Sequence, residues 1–124
     1  MKKENQFYNW IKNNSENIYL ERIEGNYTNG IPDLLSVIEG LTAFIELKQI
    51  NSNKLENLGL NKYQIKWHIK FSQASGRSFI LVLYQKQRAL KLFKIGGRGV
   101  FSHIITQKKS RSGLQKIWDA IKNY

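Results

Sequence analysis

Cysteine is absent from the 124 residues, and proline and methionine occur once each. The missing thiols exclude disulfides and any zinc or iron site held by thiolate, so a bound metal has to rest on carboxylates, carbonyls or the two histidines. Oxygen ligands of that kind suit Mg²⁺ or Mn²⁺. No apolar run approaches the ~18 residues of a membrane span, and the opening MKKENQFYNW lacks the apolar stretch of a secretory signal. The expectation is a soluble cytoplasmic protein with no membrane partner. One proline and nine glycines, with no internal repeat, speak against a long disordered or low-complexity segment. A hydrophobic share of 41% suffices for one core, and residues 1–124 are expected to form one domain.

Acid is scarce in one half only. Residues 1–60 carry six Lys or Arg against eight Asp or Glu, a net charge of −2, whereas residues 61–124 carry fourteen against Asp119 alone, a net charge of +13. A basic surface with interleaved aromatics calls for a polyanion, and nucleic acid is the favoured partner over an anionic membrane or an acidic protein.

Hydrophobic spacing predicts a helix over 3–13, a strand over 17–24, two strands over 33–38 and 43–48 joined at Glu39-Gly40, and a loop over 49–61. Residues 62–75 fit either period, since Tyr63, Ile65, Trp67, Ile69 and Phe71 alternate while Tyr63, Trp67, Phe71 and Ala74 form a helical stripe. Asn61 as a cap and Gly76 as a stop favour the helix. SFILVLY and ALKLFKI read as strands. Ser112 with Gln115 resembles a capping box for a last helix whose apolar stripe is Leu114, Ile117, Trp118 and Ile121. The fold class is α/β, a mixed β-sheet flanked by helices.

Charges inside the apolar hairpin GIPDLLSVIEGLTAFIELKQ need a reason, because a buried charge is costly unless paired or bound to a metal. Side chains alternate along a strand, so Glu46 and Lys48 share a face. With a two-residue turn Asp33 lies opposite Glu46; a longer turn sets it opposite Lys48, still on that face. Two carboxylates this close repel unless a cation or a proton lies between them. A divalent ion there would neutralise phosphoryl charge and activate water, with Lys48 orienting that water or stabilising the pentavalent transition state. The alternative is a structural ion cluster.

Pro32-Asp33 followed by Glu46-Leu47-Lys48, in the setting GIPDLL, AFIELK, LNKYQIKWH and GRSFILVL, resembles the PD-(D/E)xK nucleases over roughly residues 1–95. The likeness is to the small virus-type replication-repair nucleases and the phage Holliday junction resolvases. It implies a restriction-endonuclease-like core and a Mg²⁺-dependent endonuclease of DNA recombination or repair, placed in the host cytoplasm if phage-encoded. It also implies a catalytic set of Glu4, Asp33, Glu46, Lys48 and Gln64, in which Glu4, Asp33 and Glu46 hold the metal. The gap between Lys48 and Gln64 is long for that family, which makes residues 49–61 an insertion that contacts DNA or a second subunit.

Lys62, Lys66, Lys70, Arg98, Lys108, Lys109 and Arg111 are the candidate DNA contacts. GGRG, residues 96–99, reads as a turn, and His68 and His103 as surface or phosphate-contacting residues. Cutting a four-way junction on two strands implies a homodimer, with Trp67 and Trp118 as candidates for its interface or else for the core. The rival readings are a nuclease of the same kind acting on flaps, single strands or duplex DNA, and a non-catalytic nucleic-acid-binding protein.

Overall fold

The structure, a computed structural model, describes residues 3–23, 30–51 and 56–124, with backbone alone for 3–5 and 56. The described residues form a six-stranded sheet in the order β1 (Tyr19–Arg22), β2 (Leu34–Ile38), β3 (Leu41–Ile50), β4 (Ser78–Tyr84), β5 (Ala89–Ile95) and β6 (Phe101–Lys108). All neighbours run antiparallel except β3 and β4. A parallel pair needs a crossover, which α2 (Lys62–Gln73) provides; α1 (Lys3–Asn13) and α3 (Arg111–Lys122) are the other helices.

Alternation along β3 divides the core between the two faces of the sheet. Ala43, Ile45 and Leu47 join Phe7 and Ile11 of α1 and Trp118 of α3, while Ile50 packs with Ile65 and Ile69 of α2. Phe44 lies 5.6 Å from the Trp67 ring and 5.3 Å from Phe71, both on α2. The even-numbered residues of β3, Glu46 and Lys48 among them, therefore belong to the α2 face. All of β4 is buried, as expected of an inner strand covered on both sides.

Several boundaries differ from those read in the sequence. The first predicted strand shortens to Tyr19–Arg22, β3 grows to Leu41–Ile50, and the expected 49–61 loop holds a tight turn over Glu56–Gly59 in which Asn57 and Leu58 are left-handed. β6 is a strand that the hydrophobic spacing did not predict, with GGRG as the turn before it, where Gly96 N donates to Val100 O at 3.0 Å. The cap of α3 is Ser110, whose Oγ accepts from Gly113 N at 2.9 Å; Gln115 instead donates to Asp119. Trp118, at 1% exposure, is a core residue and offers no interface, whereas half-buried Trp67 stacks on Phe71 at 4.6 Å.

Candidate active site

The hairpin turn fixes the register of the charges. Glu39 (φ 48°) and Gly40 (φ 83°) both take left-handed conformations, as a two-residue type I′ turn requires, and Leu34 pairs with Ile45. One step further the same register sets Asp33 against Glu46. Asp33 is held from both sides: its carbonyl accepts from Ile23 N at 2.8 Å, and its Oδ2 accepts from Leu47 N at 2.9 Å. The carboxylate is thereby anchored to the strand that carries Glu46 and Lys48.

Glu46 is 2% exposed, and its Oε2 accepts from Gln64 Nε2 at 3.0 Å. Gln64 is positioned by the start of its helix. Asn61 Oδ1 accepts from Tyr63 N and Gln64 N, each at 2.9 Å, and Gln64 Oε1 accepts from Asn61 N at 2.9 Å. This reciprocal cap satisfies helix-terminal donors and leaves the Gln64 amide pointing at the carboxylate. Gly30 (φ +92°) locks the chain before Pro32 against the same helical turn, since a Cβ there would fall 2.3 Å from Tyr63 O. The ends of three elements thus converge on one face.

Lys48 is half-buried on that face. Among the described residues the ion pairs are Arg111–Glu16 and Lys122–Glu39, and none joins Lys48 to Asp33 or Glu46. The hairpin charges share a surface without being consumed in a salt bridge to this lysine. Glu4 lies on α1, which packs on the opposite face of the sheet through Phe7 and Ile11; its side chain is outside the described residues. No group of three His, Asp or Glu able to hold a metal occurs among the described residues.

The basic candidates divide between two regions. Lys62, Lys66 and Lys70 are exposed at four-residue intervals along α2, and exposed Arg98 sits in the β5–β6 turn, beside Gly97, whose carbonyl accepts from Gln73 Nε2 of that helix. Lys109 lies instead over the Trp10 ring of α1, and Arg111 pairs with Glu16 and with Asn13 O. Lys108 is exposed at the end of β6.

The two histidines behave differently from each other. His103 is exposed on β6 and shares a 2.7 Å hydrogen bond with Thr106. His68 is not a surface residue: it is fully buried, with Nδ1 2.8 Å from Ser78 Oγ and Nε2 without a partner. Burial, aided by the charge of Lys94, lowers its pKa to about 4. The unfolded chain therefore binds a proton that the folded chain refuses between about pH 6.5 and pH 4. Stability is expected to fall by about 3 kcal/mol as pH drops through that window and to gain nothing from His68 above it. Urea titrations of wild type and His68→Asn at pH 7 and pH 4.5 check this, and an equal loss in both proteins would refute it.

The sequence matches no protein-family model and no curated protein. Among solved structures the fold is similar to that of Hjc, a Holliday junction resolvase from the archaeal hyperthermophile Archaeoglobus fulgidus. The TM-score is 0.53 at 15% identity, over 73% of each chain. The chain accordingly has an α/β fold like that restriction-endonuclease-like neighbour, as expected.

Proposed function

We propose that the protein is a Mg²⁺-dependent endonuclease that hydrolyses phosphodiester bonds of branched DNA, four-way junctions above all, as a homodimer. The observation that carries the reading is the convergence of Asp33, Glu46 and Lys48 on one face, with Gln64 bound to Glu46. A structural neighbour that resolves junctions adds weight to the choice of DNA.

The donor set fits a hard cation. A carboxylate offers about four acceptor positions, so the bonds Asp33 and Glu46 already make leave them capacity for an ion. Mg²⁺ favours oxygen ligands and retains waters, which suits two protein carboxylates supplemented by solvent. When bound, the ion supplies charge neutralisation at phosphorus and an acidified water. The protein's own residues do the positioning. Gln64 orients the Glu46 carboxylate, Leu47 N orients that of Asp33, and the Lys48 ammonium holds the attacking water or meets charge developing on the phosphoryl oxygens. Lys62, Lys66 and Lys70 line the exposed side of the helix whose first turn carries Gln64, a phosphate track leading to the site. A two-fold dimer would supply the second site that paired cutting needs.

Labelled junction, flap, single-stranded and duplex DNA incubated with and without Mg²⁺ tests the reading. Paired incisions in the junction are expected only with the ion, together with a dimer–junction complex in sedimentation. Preference for another DNA form would keep the nuclease and change its target. Metal-independent binding with no cleavage of any form would leave a binding protein.

A further inference from the structure

The opposite face of the sheet carries a polar concavity. Between α1 and the ends of β3 and β4 lies a cavity of about 190 Å³, floored by Phe7 and Leu83. Its walls present three amides, Gln6, Gln49 and Gln85, and its remaining lining is Trp10, Arg88 and Lys109, with no acid among the described residues. Lys109 N donates to Arg88 O at 2.8 Å, which ties the end of β6 to the β4–β5 turn and sets both cations in the lining. The Lys109 ammonium lies 5.3 Å above the Trp10 ring, which holds it there. Gln49 Oε1 is buried and accepts no hydrogen bond. A buried acceptor without a donor costs stability.

We propose that this cavity takes one unpaired base of a bound nucleic-acid strand, with the adjoining phosphates on Arg88 and Lys109. Amides present a donor and an acceptor side by side, the pattern of a base edge, and two cations with no acid among the described lining residues suit the backbone. The volume lies below the ~300 Å³ at which cavities accept drug-sized ligands, so there is room for a ring system and none for its sugar and phosphate, which stay at the rim. β3 carries Lys48 on one face and Gln49 on the other. The base site and the candidate active site are therefore back to back through one strand, an arrangement suited to branched DNA with an unpaired nucleotide at the branch.

The inference rests on the preceding reading for the nature of the ligand, and its test separates the two. Fluorescence anisotropy without Mg²⁺ compares a single-stranded oligonucleotide with an abasic sugar-phosphate of equal length. Wild type is expected to prefer the base-bearing strand about tenfold. Gln49→Leu, which removes a lining amide and keeps the bulk, should bring that ratio close to one. Arg88→Ala should weaken both ligands alike and lower the salt slope by about one. Gln85→Leu repeats the measurement from another wall if Gln49→Leu lacks a native thermal transition. A wild-type ratio of one, or an unchanged ratio in the folded leucine variant, means the cavity holds only water and overturns the proposal. Lys48→Ala should retain the full ratio. If wild type cuts no DNA yet keeps the ratio, the nuclease reading fails and the base site stands; cleavage with an unchanged ratio in Gln49→Leu does the reverse.

Discussion

Lys48→Ala is expected to bind a four-way junction with wild-type affinity and to cut it about 10²- to 10⁴-fold more slowly, the range for removing a positioned proton-transfer group or a transition-state donor. The fold should survive, because Lys48 is half-buried and no ion pair joins it to Asp33 or Glu46. Asp33→Asn makes a different separation. The amide keeps an oxygen that can accept from Leu47 N, so the strand contact persists while the anionic ligand is lost. Its Mg²⁺ titration should shift to higher concentration, whereas Lys48→Ala should lower the plateau rate and leave the titration midpoint in place. Single-turnover cleavage across a Mg²⁺ series reads both quantities. A Lys48→Ala protein cutting at the wild-type rate would remove the lysine from the chemistry and return the hairpin charges to a structural role.

The hairpin was legible because two local rules agree in it. A Glu-Gly pair between apolar β-formers allows a two-residue turn, and the period of two then places Asp33, Glu46 and Lys48 on one face without knowledge of the rest of the chain. α2 was harder, since its residues satisfy both periods; the cap at Asn61 decided it, and that cap proved to be reciprocal with Gln64. What Gln64 touches was beyond local rules. Its partner Glu46 lies 18 residues back across a loop, and only family resemblance set Gln64 in the same site. β6 escaped notice because an outer strand needs only partial burial, and its polar positions blur the alternation. The start of α3 was misplaced by two residues for a tertiary reason. Ser110 and Ser112 are both acceptable caps, and the choice follows from Gly113, where a Cβ would stand 2.0 Å from Lys108 O at the end of β6. His68 sits in the α2 pattern at a position that a helical stripe alone does not mark as core, yet it is buried against Ser78 of β4.

Gly30→Ala is expected to damage the site and the fold together, for two separable reasons. At φ +92° an L-residue is strained, at a cost of about 1–2 kcal/mol. In addition, the new methyl would meet Tyr63 O at 2.3 Å and Tyr63 C at 2.6 Å, backbone atoms that no change of rotamer can move. Relief requires the first turn of α2 to shift, and that turn holds Gln64 on Glu46. The total loss of stability should reach about 2–4 kcal/mol. Gly40→Ala isolates the strain alone, because Gly40 has a comparable φ of +83° but no atom within 4 Å of its would-be Cβ. It should cost about 1–2 kcal/mol and leave cleavage unchanged wherever the protein stays folded. Gly30→Ala should cut slowly even well below its melting temperature, since its defect lies in the placement of Gln64 rather than in the folded fraction. Thermal melts paired with single-turnover cleavage at low temperature distinguish the two variants. Equal stability losses with equal activity would show that the contact of Gly30 with α2 does not set the geometry of Glu46.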